Sequence, residues 1–371
     1  MMQQEPPEFG TQWADAPAHY DHIDKCWITE SPIEYCMKKI GDNDGWMNFL
    51  KVIPYFDQTA IFWLIGARRL GKTDVGLRLI CELWHRFGLV TMWMRNKDVE
   101  FDKKFFSNFL ADAVKFGWAS EDWDIDNAGV WTSKDRNNRD KIVDFRAIST
   151  FGNGRGGGHP KTILIWLDEF MPEDKKYPQT PAKGLMSTTQ TVFAGNDKAR
   201  VICTSNFTEG SNPYFSRYRI YPGKDDITLC AGANLIERCR GYKRAIPKAG
   251  VWAENYRQGG YDDYADEDVD PMLTMIAKPP KGAKPGPWIL YTNGHHYRYF
   301  TKDGRMYWTY HNAPTKDIVV YADALRDTGD KVQIIPTWLT AQLKEAYGFG
   351  QFRFTEPNVL FDVMNVLYEG V

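Results

Sequence analysis

Residues 59–97 decide the fold, and they read TAIFWLIG (59–66), ARRLGKT (67–73), DVGLRLICELWHRF (74–87) and, after Gly88, LVTMWMRNK (89–97). The first and last stretches are short apolar runs, the third has helical spacing, and the second is a loop containing glycine. This order predicts strand, loop, helix and strand, the opening of an α/β domain. Two later runs, TILIWL (162–167) and RVICTSN (200–206), predict further strands of one parallel sheet.

The loop Gly66-Ala-Arg-Arg-Leu-Gly71-Lys72-Thr73 matches the pattern G-x-x-x-x-G-K-[ST]. In that pattern glycines let backbone N–H groups turn towards phosphate, and the following helix N-terminus adds positive potential. Lys72 is predicted to reach the β- and γ-phosphates of ATP, and the Thr73 hydroxyl to ligate Mg²⁺. A chance match is the alternative, which the predicted strand and helix on either side disfavour.

Two carboxylates, Asp168 and Glu169, follow the apolar run 163–167. The carboxyl end of a parallel strand is where α/β sheets bind ligands. Asp168 is predicted to hold Mg²⁺ through a water molecule, and Glu169 to activate the attacking water as a general base, because phosphoryl transfer to water needs a proton acceptor. A glutamate here favours the additional-strand, catalytic-glutamate division of P-loop NTPases, with a RecA-like parallel sheet. An acidic helix N-cap is the alternative.

Ser205-Asn206 ends the run 200–206, beside the predicted magnesium site. A polar side chain at that position could sense the γ-phosphate, so Asn206 is a candidate catalytic residue. Asparagine at a strand end is also a common turn former, and the local sequence leaves both readings open.

The loop 152–160 holds Arg155 among five glycines. An arginine in so flexible a loop could enter a neighbouring subunit's site and neutralise charge on the transferred phosphoryl group. A surface loop with an incidental arginine is the alternative.

Candidate DNA contacts follow the strand after the P-loop helix, where basic residues alternate with Phe101 and Phe105. They are Arg95, Lys97, Lys103 and Lys104. A charged, exposed helix face is an equal alternative.

Composition bounds these interpretations. The chain has 371 residues, 46 Lys+Arg against 48 Asp+Glu, and 43% hydrophobic residues. This is an ordinary folded chain without wholesale basicity, so any nucleic-acid contact must be local. Six scattered cysteines without a CxxC pair argue against zinc or disulfide scaffolds and favour a reducing, cytoplasmic setting. No signal peptide or membrane span is expected.

The predicted organisation has four parts. These are an N-terminal extension (1–55), a P-loop ATPase domain (56–232), a charged linker (233–272) and a small C-terminal domain (273–371). Alternating polar and apolar residues over 287–320, around Asn293-Gly294 and Asp303-Gly304, predict a β-meander in the last part. One or two helices are expected to follow it.

Taken in order, GARRLGKT, TMWMRNK, LIWLDEFMPED, TVFAGNDKARVICTSN and NPYFSRY resemble the DNA-packaging ATPases of phi29-like short-tailed phages. In the C-terminal part, WILYTNG, GRMYWTYHNAPTKDIVVY and AYGFGQFRFTEPNVLFDVMNVL are similar to that family's last domain. The resemblance covers nearly the whole chain beyond residue 55.

The resemblance implies an ATP-driven motor that moves double-stranded viral DNA into a preformed prohead. Such motors act as a ring, pentameric in the family, at the portal vertex in the host cytoplasm, and no membrane is involved. The portal protein and a structural prohead RNA are the implied partners.

Residue by residue, the resemblance matches Lys72, Thr73, Asp168 and Glu169 to the family's nucleotide motifs, Arg68 to its P-loop arginine and Asn206 to its next strand motif. Arg155 aligns with a basic residue thought to act across the subunit interface. Arg95 and Lys97 fall in a stretch associated with the DNA channel.

One position departs from the family. Ala194 stands where the family carries an arginine implicated as the trans-acting finger, so Arg155 is the preferred candidate over Lys198 and Arg200. The C-terminal domain is expected to resemble a ribonuclease-H-like nuclease that has lost its catalytic acids. Two alternatives stay open: another P-loop ATPase of phage morphogenesis or extrusion, and a nucleotide-binding scaffold that hydrolyses nothing.

Overall fold

The structure, a computed structural model, describes residues 5–101, 103–150, 159–172, 176–206, 212–222, 225–243, 275–312, 318–322, 332–348 and 351–368. These residues form two compact units. The first contains the N-terminal segment and most of the predicted ATPase domain, and the second contains the predicted C-terminal domain together with a helix near residue 215 that the prediction had placed in the ATPase domain.

The first unit is built on a mixed, mainly parallel sheet of nine described strands. Their spatial order is β10 (Ile227–Cys230), β11 (Asn234–Arg238), β3 (Ile61–Gly66), β9 (Arg200–Asn206), β8 (Thr162–Asp168), β4 (Val90–Arg95), β7 (Lys141–Ala147), β6 (Gly129–Trp131) and β5 (Asp124–Asp126). The six strands from β11 to β7 run parallel. The predicted α/β class and parallel sheet are therefore confirmed.

This unit also contains a hairpin, helices and short 3-10 turns. They are the hairpin β1 (His19–Asp21) and β2 (Cys26–Ile28), the helices α1 (Pro32–Ile40), α2 (Lys72–Phe87), α3 (Lys103–Lys115) and α4 (Pro181–Phe193), and 3-10 turns at Asn43–Gly45, Ile53–Gln58 and Asp98–Glu100. Strand β8 is buried at every position, because parallel strands of a covered sheet have no solvent face. Its side chains therefore read as a continuous apolar run.

Helix α2 lies unusually close to the sheet at Gly76. A Cβ atom at Gly76 would lie 2.6 Å from the ring of Trp166 on β8, so only glycine allows this approach. Helix α2, which begins directly after the glycine-rich loop, thus packs closely against β8, the strand that ends in Asp168.

Two segments outside the predicted ATPase domain contribute to the first unit. Strand β11 falls inside the predicted linker, yet it pairs in parallel with β3. It was not predicted as a core strand because it contains the charged residues Glu237 and Arg238, both of which are buried. The predicted N-terminal extension contributes α1, close to the helix that its sequence predicts over Ser31–Lys39, and the buried Ile33, Met37 and Ile40 join the core of the unit. Their spacing of three and four residues is that of an amphipathic helix.

The second unit has a six-stranded sheet among its described residues, ordered β16 (Val332–Ile334), β15 (Val319–Ala322), β12 (Lys284–Thr292), β13 (His295–Lys302), β14 (Arg305–His311) and β17 (Phe352–Phe354). Its helices are α5 (Pro213–Tyr218), α6 (Thr337–Gly348) and α7 (Pro357–Tyr368). Strands β12 to β14 form the predicted meander. Positive φ angles at Asn293, Gly294, Asp303 and Gly304 match the two predicted hairpin turns.

A buried carboxylate joins α5, α7 and the meander within this unit. Asp362 of α7 accepts hydrogen bonds from Arg219, Asn293 and the hydroxyl of Tyr297. Burial and this contact raise the pKa of Tyr297. No described helix of either unit combines the length and apolarity that a bilayer span needs.

Candidate nucleotide site

The glycine-rich loop connects β3 to α2, as predicted. Gly71 caps the helix with a left-handed φ of 86°, a conformation that glycine adopts at little cost. Lys72 is the first residue of α2, and its Nζ donates to the carbonyl oxygens of Gly66 at 3.2 Å and Ala67 at 2.6 Å. Thr73 is exposed in the first helical turn, and Arg68 is half-buried in the loop. The first N–H groups of α2 lack carbonyl partners within the helix, which suits an anion.

Asp168 is the last residue of β8 and is 3% exposed. Its Oδ1 accepts a 3.0 Å hydrogen bond from the hydroxyl of Thr204 on β9. Glu169 follows in a turn with a φ of 51°, and its side chain is 52% exposed. The Asp168 carboxylate is therefore fixed at the carboxyl end of β8, while the Glu169 carboxylate extends into solvent from a residue with positive φ.

Arg95 bridges these two carboxylates. It ends β4, the strand beside β8, and its guanidinium lies 2.7 Å from Oδ2 of Asp168 and 2.6 Å from Oε2 of Glu169. Burial by itself lowers the pKa of Arg95, but the two carboxylates outweigh burial and raise it. The sequence predicts a DNA contact for Arg95; the structure instead places it in the candidate site, because the ends of adjacent parallel strands meet.

Asn206 meets the lysine of the loop. It ends β9, opposite Gly66 in the register of β3 and β9, and its Oδ1 accepts a 3.2 Å hydrogen bond from Lys72 Nζ. The predicted phosphate-binding lysine and the candidate sensor are thus in direct contact.

Three polar residues support the site, of which Asn96 and Thr204 were missed by sequence reasoning. Asn96 donates from Nδ2 to the carbonyl oxygens of Glu169 and Phe170, each at 3.1 Å, and so holds the turn after β8. Ser205 accepts from the backbone N–H of Met171 at 3.2 Å. Thr204 holds Asp168, as above. The available signal was that all three stand at or near a strand's carboxyl end.

Several predicted residues fall elsewhere. Arg155 lies outside the described residues, as do the side chains of Lys103 and Lys104 at the start of α3. Lys97 is half-buried just after β4. Ala194 lines an open cleft of about 600 Å³ with Thr162, the first residue of β8, so this cleft lies at the sheet edge opposite Asp168.

The residues at the carboxyl edge fit a magnesium nucleotide. An ammonium group and a helix N-terminus suit phosphate, whereas the Asp168 carboxylate and the Thr73 hydroxyl are oxygen ligands of the kind Mg²⁺ takes. Fold and site together define an α/β protein with a glycine-rich loop and strand-end carboxylates on one edge of a mainly parallel sheet.

Comparisons with known proteins find similarity to phage DNA packaging proteins. No protein-family model matches the chain. The DNA packaging proteins of Bacillus phages PZA and phi29 are each 29% identical over 77 residues, which span 20% of this chain and 23% of theirs.

Solved structures extend the likeness over most of the chain. The Phi-28 DNA packaging motor matches with a TM-score of 0.62 and 14% identity, over 88% of this chain and 98% of that one. The Phi-29 viral genome packaging motor assembly matches with a TM-score of 0.57 and 19% identity over the same shares. These neighbours confirm the predicted resemblance to phage packaging motors at the level of the fold.

Proposed function

We propose that this chain is an ATP-driven motor that translocates double-stranded viral DNA into a preformed prohead. The observation that carries the proposal is the meeting of Lys72, Asn206, Asp168 and Glu169 at one edge of the sheet. The likeness to packaging motors over 88% of the chain supports the biological setting.

Each residue at that edge has a role in the proposed hydrolysis. Lys72 and the amides of the loop bind the phosphates, and Thr73 with Asp168 holds the Mg²⁺ that comes with ATP. Glu169 accepts a proton from the attacking water, for which its exposed carboxylate is suited. Asn206, bonded to Lys72, responds to the γ-phosphate. When bound, Mg²⁺ would neutralise negative charge on the phosphoryl oxygens.

The strand order supports the additional-strand division. One strand, β9, lies between β3, which leads into the loop, and β8, which ends in Asp168. In the second unit, an antiparallel meander extended by the parallel strands β15 and β16 supports a ribonuclease-H-like fold. We do not propose nuclease activity, because the described strands β12, β13, β14 and β17 contain no Asp or Glu.

Those same four strands support an RNA partner. Alternate residues of neighbouring strands share a face, and the face opposite the core residues Tyr297 and Trp308 is basic and partly aromatic. Beside the buried Ile289 and Tyr307 and the polar Thr309, its members are Tyr291, His296, Arg298, Phe300, Lys302, Arg305, His311 and Arg353. Cations with aromatic rings on an acid-free sheet face suit nucleic acid, and we assign this face to a prohead RNA.

The remaining parts of the proposal come from the resemblance. The chain acts as a homo-oligomeric ring, a pentamer, docked on the portal in the host cytoplasm, and Arg155 serves as the trans-acting finger. Lys97, Lys103 and Lys104 contact DNA phosphates, so translocation is largely independent of sequence and sensitive to salt.

The test is ATP turnover per chain against protein concentration, with and without double-stranded DNA, at low salt. If turnover rises with protein concentration and with DNA, each site is completed by a neighbouring subunit, and Arg155→Ala should then abolish the rise. Turnover that is flat and indifferent to DNA counts against the ring motor and favours another P-loop ATPase. Absence of turnover favours the nucleotide-binding scaffold.

A further inference from the structure

The guanidinium of Arg95 lies between the carboxylates of Asp168 and Glu169. A Mg²⁺ site at Asp168 would need the negative charge that Arg95 neutralises here. Its two terminal nitrogens each reach one carboxylate, and its side chain is 12% exposed. The guanidinium also lies over the ring of Phe105, 4.8 Å from the centroid, which adds a cation–π contact to its present position.

The pairing has an electrostatic reason. Two carboxylates on successive residues repel each other, and Asp168 is nearly buried, so their shared charge requires a nearby cation. Arg95 supplies that cation from within the chain. Oδ1 of Asp168 already accepts from Thr204, which leaves Oδ2, the atom bonded to Arg95, as the oxygen best placed for a metal ion.

Mg²⁺ and the guanidinium therefore compete. A divalent ion bound to Oδ2 of Asp168 would lie within a few ångströms of the Arg95 charge, and like charges at that distance are strongly unfavourable in a partly buried site. Mg²⁺ binding at Asp168 is therefore unfavourable while the Arg95 guanidinium keeps its present position.

We propose that Arg95 is a positioning residue that acts as an internal counter-cation: it holds Asp168 and Glu169 while Mg²⁺ is absent and leaves Asp168 when Mg²⁺ binds. The inference rests on the nucleotide site proposed above. While Arg95 keeps this place, the half-exposed carboxylate of Glu169 is also held in an ion pair.

The test is thermal unfolding of the full chain in MgCl₂ alone, without nucleotide, against NaCl of equal ionic strength. Arg95→Gln should unfold at a lower temperature than the wild type without Mg²⁺, because two carboxylates lose their cation. Mg²⁺ should restore that loss, and its half-saturating concentration should be lower than the wild type's by about fivefold or more.

Three further variants sharpen the test. Arg95→Gln combined with Asp168→Asn should lose the response to Mg²⁺. Arg146→Gln is the matched control, because Arg146 stands on β7 opposite Met94 and pairs with Asp144 instead; its response should equal the wild type's. If Arg95→Gln does not fold, Arg95→Lys keeps a charge but not the two-pronged contact, and should still lower the half-saturating Mg²⁺ concentration.

An Arg95→Gln protein whose unfolding temperature ignores Mg²⁺ would overturn the inference, as would an Arg95→Lys protein with the wild-type Mg²⁺ response. A chain that never turns over ATP would instead contradict the proposed function, and the titration with Mg²⁺ alone would still decide the role of Arg95.

Discussion

The amide oxygen of Asn206 accepts a 3.2 Å hydrogen bond from Nζ of Lys72. The two residues belong to different elements, the end of β9 and the start of α2, and the pairing of Gly66 with Asn206 brings them together. Any ligand that draws the ammonium group towards phosphate must change this contact. Asn206 is thereby in a position to register whether the loop is loaded.

Asn206→Ala should lower ATP turnover by about tenfold or more while nucleotide binding changes less. The reason is that Lys72 keeps its bonds to the carbonyl oxygens of Gly66 and Ala67, so the loop stays formed. Turnover and the affinity for a fluorescent ATP analogue give the two numbers. Unchanged turnover would leave Asn206 as a turn former only.

Glu169→Gln should bind ATP but hydrolyse it at least ~10²-fold more slowly, because an amide cannot accept the proton of the attacking water. Its side chain is half exposed, so the fold should be unaffected. Glu121→Gln, at an exposed position away from the site, is the matched control and should keep wild-type turnover. Normal hydrolysis by the Glu169 variant would remove the general base from the mechanism.

Gly76→Ala should destabilise the first unit by about 1–3 kcal/mol, because the new methyl group meets the Trp166 ring at 2.6 Å and α2 must move off the sheet. Since α2 begins with Lys72, nucleotide affinity should fall as well. Denaturant unfolding measures the first effect. In a Trp166→Phe background Gly76→Ala should lower the free energy of unfolding by less. An equal loss in both backgrounds would contradict the proposed clash.

The sheet and the loop could be predicted from the sequence because each depends on local pattern. Apolar runs marked β3, β8 and β9, and the turns at Asn293-Gly294 and Asp303-Gly304 marked the meander. The position of Arg95 depends instead on β4 lying beside β8, a strand order that sequence order does not contain. Strand β11 was missed for a related reason, since its Glu237 is a charged residue type in a fully buried position.

Glu237 should make the stability of the first unit depend on pH. Burial raises its pKa from 4.5 to about 7, although the hydroxyl of Tyr242, which donates to Oε1 at 2.8 Å, opposes the shift. The folded chain therefore binds a proton that the unfolded chain has lost between about pH 4.5 and 7. Its contribution to stability is complete below pH 4.5 and is lost as the pH rises through 7.

Glu237→Gln should remove this dependence, because the amide stays neutral in both states. The variant's free energy of unfolding, relative to the wild type's, should rise between pH 5 and pH 8 by as much as about 3 kcal/mol. Urea unfolding at four pH values measures the difference, with the exposed Glu121→Gln as control. Parallel pH profiles for wild type and Glu237→Gln would assign the titration to another group, because only a residue whose protonation differs between folded and unfolded chains can give the slope.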